Sequence, residues 1–386
     1  MKRKICFFTG SRAEFGIMHD LMHRVANDEN CQLQIVATNM HLSPEFGLTY
    51  REIEADGLNV DKKVEMLLSS DTSNGIVKSM GLGMIGFADA LEDLQPDLAI
   101  ILGDRYEMLA AAAACLIYKV PIAHLGGGDI TEGAYDNAIR HSISKMSSLH
   151  FTSTVENRQR LIQMGEQPER VFWVGGLGLE EILDSPIMTL EELEQSIDFK
   201  LGPKYLVVTF HPVTMENHTA EGQCMNLLKV LEEVNSAYKL LFTLPNSDTD
   251  GRIIISLINE FVNANKERRF AIQSLGKKRY FSALKYASAV IGNSSSGLVE
   301  APSFHIPTLN IGNRQQGRTH GDSVFDVVAN YEEIKKGLNK ILTDDFRKKA
   351  QKTMNPYEKV GTLDAIFNAI STYPLENLTK KKFYKI

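Results

Sequence analysis

Short apolar runs alternate with helix-patterned segments along most of the chain. In the first half, Lys4–Phe8, Leu98–Leu102 and Pro121–Leu125 have the length of buried strands, and each leads through a glycine-containing turn into a segment with helical spacing. The pattern restarts with Tyr205–Phe210 and Lys239–Leu244. Strands that alternate with helices in this way predict mostly parallel, doubly wound sheets. We therefore predict an α/β protein with two similar halves.

The length of the chain supports the same division. A chain of 386 residues is too long for one ordinary core and about right for two domains. We predict a Rossmann-like N-terminal domain at residues 1–178 and a Rossmann-like C-terminal domain at residues 179–365, the second binding a nucleotide. Residues 366–386 are predicted to form a helix and a tail. Whether they pack back on the first domain is left open. The basic tail Asn377–Ile386 is expected to be frayed.

Polar residues that directly follow strands are the first candidates for a site. Ligands of open parallel sheets bind beyond the carboxyl ends of the strands. The candidates come from both halves, so one large polar ligand could be held in a cleft if the two crevices face each other. These residues are Arg12, Asp104, Arg105, Asp129, His211, Asn246, Ser294 and Ser295.

The stretch after Ala289–Ile291 is typical of an anion site. The apolar run breaks at a glycine, passes through Ser294–Gly297 and continues into helix-like residues. A strand that leads into a helix N-terminus offers free N–H groups and a helix dipole to a phosphate, although an ordinary N-capped helix has the same pattern. Glu300, about one turn further, can accept hydrogen bonds from ribose hydroxyls. The residues assigned to this binding site are Ser294, Ser295, Ser296, Gly297, Glu300, Arg314 and Arg318.

Two motifs of the first half carry charged residues at strand ends. The turn TGSRAEFG is neither a dinucleotide fingerprint nor a P-loop, and its Arg12 either binds a phosphate or is solvated. Asp104, in LGDRYE, ends a buried strand. It is either a carboxylate tuned for acid–base work, or the ion-pair partner of an arginine or a helix cap.

A second group of titratable residues follows the glycine-rich turn GGGD. Asp129, Glu132 and Asp136 cluster there, although Asp136 and Arg140 also have the spacing of an ordinary surface ion pair. His211 stands at a strand end before proline and can donate or accept a proton near neutrality. No set of His, Cys and carboxylate residues shows metal-ligand spacing, so we predict no metal site. No serine or cysteine nucleophile motif such as GxSxG occurs either.

Composition narrows the class of protein. The net charge of −6 argues against nucleic acid and anionic membranes as partners. The four cysteines are scattered, which predicts neither a disulfide framework nor a zinc site, and Cys6 and Cys115 are expected in the core. The apolar run at the N-terminus is too short for a signal-peptide core, and no segment is long enough to span a membrane. A cytoplasmic location is the expectation.

Taken together, the motifs resemble the hydrolysing UDP-N-acetylglucosamine 2-epimerases, especially the branch that starts sialic-acid and legionaminic-acid synthesis. The matching motifs are TGSRAEFGI, LGDRYE, GGGDITEGAYDNAIRHSISKMS, FHPVT, LPNSDT, and GNSSSGLVEAPS followed by IGNRQQGR. They cover residues 9–318. The resemblance implies a glycosyltransferase-B-like fold, a nucleotide-sugar substrate, a homodimer or homotetramer, and no metal or other cofactor.

The resemblance also implies a reaction. The C2 proton is removed, UDP leaves C1 by elimination, and water adds with inversion at C2 to release N-acetylmannosamine. Asp104 and the group of Asp129, Glu132 and Asp136 become the acid–base candidates. At the diphosphate and sugar the resemblance places Arg12, Arg105, His211, Asn246, Ser294 and Ser295, and at the ribose Glu300.

One departure leaves alternatives open. Many relatives carry a carboxylate in the turn after His124, where this chain has Gly126. Either its role has moved to a neighbouring carboxylate, or it is dispensable, or the sugar differs at C4, as in UDP- or GDP-linked N,N′-diacetylbacillosamine. A retaining glycosyltransferase and a non-catalytic nucleotide-sugar-binding regulator are further alternatives.

Overall fold

The structure is a computed structural model that describes residues 2–69, 72–180, 182, 187–216, 218–245 and 250–386. The chain divides into two compact units, each with its own sheet. The first unit comprises Met1–Asp129, Asp136–Glu180 and Tyr357–Ile386, and the second comprises Ile130–Tyr135 and Glu181–Pro356.

The first unit is built on seven parallel strands and the helices between them. The strands are β1 (Arg3–Thr9), β2 (Cys31–Thr38), β3 (Lys62–Val64), β4 (Leu98–Leu102), β5 (Ile122–Leu125), β6 (Leu149–Thr152) and β7 (Val171–Trp173). The helices are α1 (Arg12–Ala26), α2 (Tyr50–Ala55), α3 (Ser73–Leu94), α4 (Tyr106–Ile117), α5 (Asp136–Met146) and α6 (Val155–Gln163). The strand order is β3-β2-β1-β4-β5-β6-β7.

The second unit has a six-stranded parallel sheet. Its strands are β8 (Tyr205–Thr209), β9 (Lys239–Thr243), β10 (Arg269–Ile272), β11 (Ala289–Gly292), β12 (Thr308–Ile311) and β13 (Val324–Val327), in the order β10-β9-β8-β11-β12-β13. Its helices are α7 (Leu190–Ile197), α8 (Ala220–Glu233), α9 (Gly251–Asn263), α10 (Gly276–Tyr286), α11 (Ser296–Val299), α12 (Tyr331–Ile341) and α13 (Asp344–Gln351). The last helix, α14 (Thr362–Thr372), belongs to the first unit.

Both faces of the first sheet are covered, which explains its continuously apolar strands. Successive side chains of a strand point to opposite faces. In β1, Ile5 and Phe7 pack in a cluster with α1 and α14, whereas Cys6 and Phe8 pack in a second cluster with α3 and α4. A strand with one exposed face alternates apolar and polar residues, whereas a strand buried on both faces is apolar throughout. The prediction of two doubly wound α/β sheets is confirmed.

A six-residue segment of the N-terminal half belongs to the second unit. The backbone N–H of Glu132 donates to Gln316 O at 3.0 Å, and Gly133 O accepts a hydrogen bond from the N–H of Met215 at 3.3 Å. A Cβ atom at Gly133 would lie 2.6 Å from Asn313 O. A glycine is therefore required for this close approach, which accounts for part of the ITEGAY sequence.

The prediction of a frayed tail is wrong. Leu378 is buried in the core of the first unit, and the N–H of Tyr384 donates to Gly165 O at 2.8 Å. Lys381 Nζ donates to the buried carboxylate of Glu166 at 2.8 Å. A buried carboxylate requires positive partners, and the basic tail supplies one.

The described residues include no helix with the length and apolar character that a membrane crossing requires. All four cysteines are buried as free thiols, so the prediction of core positions for Cys6 and Cys115 is confirmed.

Candidate active site

Three neighbouring turns form the first candidate site, at the carboxyl ends of β1, β4 and β5. The strands are parallel and adjacent, so the turns Gly10–Arg12, Gly103–Arg105 and Gly126–Asp129 lie at one edge of the sheet. We call this the first edge.

Arg140 joins two carboxylate-bearing turns of the first edge. Its Nη2 makes an ion pair with Asp104, and its Nη1 donates to the backbone oxygen of Asp129 at 2.9 Å. The Arg140 side chain is 3% exposed and that of Asp104 is 24% exposed. The guanidinium therefore fixes the orientation of Asp104 while leaving part of the carboxylate accessible.

His124 fixes the turn before Asp104. Its Nε2 lies 2.7 Å from Gly103 O and its Nδ1 lies 3.0 Å from Ser144 Oγ. Burial lowers the pKa of His124 to about 3, so the ring is neutral and can donate only one proton, which the Gly103 carbonyl accepts. A Cβ on Gly127 would lie 2.9 Å from Nδ1, so this turn needs glycine.

Two buried glutamates lie beneath the first edge. Glu14 Oε2 accepts a hydrogen bond from the N–H of Gly10 at 2.6 Å, and Glu107 Oε1 accepts one from Arg105 Nε at 2.8 Å. Burial and, to a smaller extent, the charge of Glu107 together raise the pKa of Glu14 to about 8. Glu14 is therefore protonated in the folded protein at neutral pH. The pair holds the Gly10 turn and Arg105 in place.

Arg12 lies in a different setting from the predicted solvated or phosphate-binding loop. It is the first residue of α1, which Ser11 caps, and its Nε lies 2.8 Å from Glu52 Oε2. Both side chains are partly exposed, so this pair is worth at most about 1 kcal/mol and a phosphate could compete for the guanidinium.

The second candidate site lies at the carboxyl ends of β8 and β11, which are neighbours. Asn293 connects them: its Oδ1 accepts a hydrogen bond from the N–H of His211 at 2.7 Å, and its Nδ2 donates to His211 O at 2.8 Å. The preceding Gly292 has φ +134°, and a Cβ there would lie 1.8 Å from Thr209 O. Only glycine allows this approach. We call this region, with Ser294–Gly297 and Arg314–Arg318, the second edge.

The helix that follows the serine turn is short. Helix α11 has four residues, and a 3₁₀ turn at Ala301–Phe304 replaces the next helical turns. Pro302 explains the change, because proline lacks an N–H and disfavours α-helical geometry in the residue before it. The Ser295 side chain makes no cap hydrogen bond, which does not fit the alternative of an ordinary N-capped helix. The N–H groups of Ser296 and Gly297 donate to the side chain and the backbone oxygen of Ser294, and the dipole of so short a helix is small.

Glu300 follows α11, and its carboxyl group has few hydrogen-bond partners among the described residues. Its Oε2 atom is buried and has no hydrogen-bond partner among the described residues. Burial raises the pKa of the Glu300 carboxyl, while Ser296 and Arg318 act in the opposite direction. Tyr280 OH lies 2.5 Å from the same Ser296 Oγ. A buried acceptor without a donor is costly, which is typical of a ligand-binding group.

Two arginines of the predicted site lie close to the second edge. Arg314 Nη1 and Gln315 Nε2 both donate to Asn293 O, at 3.2 and 3.0 Å. Arg318 Nη1 donates to Gln315 Oε1 at 2.9 Å. The loop therefore brings two positive charges close to the turn that begins at Asn293.

The structure divides the predicted acidic group. Asp129 is buried and Asp136 begins α5, both in the first unit, whereas Glu132 is exposed and belongs to the second unit. Asn246 lies outside the described residues. The sequence analysis missed five residues of these edges: Glu14, Glu107, His124, Arg140 and Asn293. Four of them lie within motifs that the sequence analysis quoted, and His124 is a polar residue in the buried strand β5.

One further expectation is wrong. The sequence was expected to hold no metal-ligand spacing, but ligand atoms of His19, His23 and Asp56 lie within 4.8 Å of one another. The His-x₃-His spacing on α1 was overlooked. These residues lie outside both edges.

Several known proteins are similar to this chain. A family model described as UDP-N-acetylglucosamine 2-epimerase matches residues 23–371. A Campylobacter jejuni protein named GDP/UDP-N,N′-diacetylbacillosamine 2-epimerase (hydrolyzing) is 41% identical over 346 residues, covering 90% of this chain and 89% of that protein. A Legionella pneumophila protein named UDP-N,N′-diacetylbacillosamine 2-epimerase (hydrolyzing) is 34% identical over 377 residues, covering 98% of each.

A solved structure shares the fold. The UDP-GlcNAc 2-epimerase from Neisseria meningitidis, bound to UDP-GlcNAc, aligns with a TM-score of 0.79 and 16% identity. The alignment covers 95% of this chain and 99% of that chain.

Proposed function

Because the chain belongs to the UDP-N-acetylglucosamine 2-epimerase family, we propose that it is a hydrolysing epimerase of a UDP-linked 2-acetamido sugar. The observation that carries the proposal is the pairing of Asp104 with Arg140 at an edge that also holds Asp129. Such a group can move a proton at a carbon atom, which the first step requires.

The proposed reaction has two steps. A carboxylate takes the proton from C2, the C1–O bond to UDP breaks, and a C1–C2 double bond forms. Water then adds its oxygen to C1, and a proton adds to C2 on the opposite face. The products are the free 2-epimeric sugar and UDP.

The acid–base work is assigned to the first edge. Asp104 is partly accessible and fixed by Arg140 and by the turn that His124 holds, so it is the first candidate for the base. Asp136, the first residue of α5, is the candidate for the group that returns a proton to C2. A positioned general base or acid contributes about 10²–10⁴-fold to a rate.

The nucleotide is assigned to the second edge. The backbone N–H groups of Ser294 and Ser295 and the guanidinium groups of Arg314 and Arg318 suit a diphosphate. The unpartnered Oε2 of Glu300 suits a ribose hydroxyl. The role proposed for His211, which Asn293 holds, is to stabilise charge on the leaving diphosphate.

The substrate proposed first is the diacetamido sugar, with UDP-N-acetylglucosamine second. Two relatives above 30% identity carry the N,N′-diacetylbacillosamine name. A Cβ at Gly126 would meet nothing within 4 Å, so the turn offers space where a side chain would otherwise lie. That space would accommodate the additional acetamido group at C4.

One experiment tests reaction and substrate together. The protein is incubated in D₂O with each sugar nucleotide, and products are examined by NMR. Free 2-epimer with deuterium at C2, and UDP in equal amount, is expected, with the larger kcat/KM for the diacetamido sugar. An epimerised sugar still attached to UDP would show a non-hydrolysing enzyme. UDP release only with an added acceptor would show a transferase.

The homodimer or homotetramer stays a prediction. Light scattering of the purified chain measures its mass, and a monomer at all concentrations would contradict it.

A further inference from the structure

Three side chains of the first unit, outside both edges, bring cation ligands together. His19 and His23 lie four residues apart on α1, and Asp56 directly follows α2. Their ligand atoms lie within 4.8 Å of one another. We propose that His19, His23 and Asp56 form a binding site for a divalent transition-metal ion, and that zinc is the ion it takes.

The geometry converges on one carboxylate oxygen. Asp56 Oδ2 lies 2.9 Å from His19 Nε2 and 2.5 Å from His23 Nε2. The two imidazole rings are 4.6 Å apart between centroids. Residues at i and i+4 share one face of a helix, so α1 presents both Nε2 atoms to the same point.

A second carboxylate lies on the far side of the His19 ring. His19 Nδ1 contacts Asp20 Oδ1. An imidazole that donates its N–H from Nδ1 has its lone pair on Nε2. In that tautomer the Nε2 atom of His19 can bind a cation at the point that it shares with His23 and Asp56.

A cation at the point where the three ligand atoms meet would be bound by two imidazole nitrogens and one carboxylate oxygen. At metal sites, the ring nitrogen of a histidine that does not bind the metal usually donates its N–H to a carboxylate or another acceptor. Asp20 is placed for that role.

The donor set suits zinc. Imidazole nitrogen and carboxylate oxygen bind Zn²⁺ at about 2.0–2.2 Å, and three protein ligands leave a position for water. The side chains of His19, His23 and Asp56 are 34%, 33% and 35% exposed. They are accessible to the ion, and their rotamers are free to close to bonding distance.

The site would connect two helices that flank the first edge. Arg12, at the start of α1, pairs with Glu52 on α2. Zinc bonded to His19, His23 and Asp56 adds a second link further along α1. Binding to the folded state alone raises its stability, so zinc is expected to stabilise the first unit.

The test is a zinc titration of the tag-free, chelator-treated full chain near neutral pH. Calorimetry is expected to show one zinc ion per chain. Fluorescence of Trp173, the single tryptophan and a residue of the first unit, is expected to report a higher melting temperature with zinc.

Four variants locate the ion. His23→Gln and Asp56→Asn are expected to weaken zinc binding by at least about 100-fold, and Asp20→Asn by about tenfold, the range for loss of an outer partner. His305→Asn, at an exposed histidine of the second unit with φ 55°, is the matched control and is expected to bind as wild type. Circular dichroism confirms that each variant is folded.

Two results would overturn the proposal. One is an absence of zinc binding by the wild-type chain. The other is a folded His23→Gln or Asp56→Asn variant that binds zinc with wild-type affinity, because the ion would then lie elsewhere.

Discussion

The two edges hold their polar groups in opposite ways. In the first edge, charges are paired inside the protein: Arg140 holds Asp104, and Arg105 holds Glu107. In the second edge, a neutral amide, Asn293, holds the turn, and the carboxylate of Glu300 has a buried oxygen without a described partner. Groups that are already oriented suit proton transfer, whereas groups with unused hydrogen-bonding capacity suit binding. We therefore assign chemistry to the first edge and nucleotide affinity to the second.

The largest expected effect is on turnover, from Asp104→Asn. The amide keeps the shape of the side chain but cannot accept the C2 proton, so kcat is expected to fall by about 10²–10⁴-fold. Steady-state assays measure it. Asp89→Asn, an exposed residue of α3, is the control and should keep wild-type activity. Near-normal kcat in Asp104→Asn would remove the residue from the mechanism.

A second effect is on the stability of the second edge, from Asn293→Ala. The variant loses both hydrogen bonds to His211 and leaves buried backbone groups unpaired, which is expected to cost about 2–4 kcal/mol. Hydrogen exchange of peptides from β8 and β11 measures this loss of stability. Asn226→Ala, which loses one bond of 3.3 Å, is the matched control and should cost less than about 1 kcal/mol. Equal protection in both variants would contradict the role of Asn293.

The third expected effect is on the pH dependence of stability, to which the buried Glu14 of the first edge contributes. The pKa of Glu14 rises from 4.5 to about 8 on folding, so the folded state holds this proton more tightly. Its contribution to stability is complete at low pH and is lost as pH rises through about 8, at up to about 1.4 kcal/mol per pH unit. Glu14→Gln is expected to remove that decline.

Urea unfolding at several pH values, followed by Trp173 fluorescence, measures the slope in the first unit. Glu29→Gln, at an exposed position, is the control and should keep the wild-type slope. A Glu14→Gln variant with the wild-type pH profile would show that Glu14 is ionised in the folded state.

The smallest effect is on affinity, from Glu300→Gln. Loss of a charge-assisted hydrogen bond to ribose is expected to weaken UDP binding by about tenfold, with kcat at saturation changed only a few-fold. Calorimetric titration with UDP measures the affinity. Glu221→Gln, exposed on α8, is the control. UDP affinity equal to wild type in Glu300→Gln would exclude the ribose contact.

Local patterns in the sequence predicted most of the fold. Buried strands such as β1 and β4 appear as apolar runs that end in glycine, so their existence and the shared edge were predictable. Edge strand β3, with Lys62 and Lys63 among its three residues, has no apolar run and was missed. Helix α6 was missed for a similar reason, because it is largely polar.

The family resemblance read from the motifs is confirmed, but the partners within the edges could not be predicted. Arg140 lies 36 residues from Asp104, and Asn293 lies 82 residues from His211. Nothing local to either residue specifies such a pair. The shortness of α11 was predictable in principle, since Pro302 follows closely, and the docked tail was not, because its partner Glu166 is 215 residues away.

The division of labour between the edges is tested most directly by measuring kcat and UDP affinity side by side in Asp104→Asn and Glu300→Gln. The account predicts a crossed result, in which the first variant loses turnover but binds UDP within a few-fold of wild type, and the second loses affinity but retains turnover at saturation. Parallel losses of both quantities in the two variants, or the reverse assignment, would contradict it.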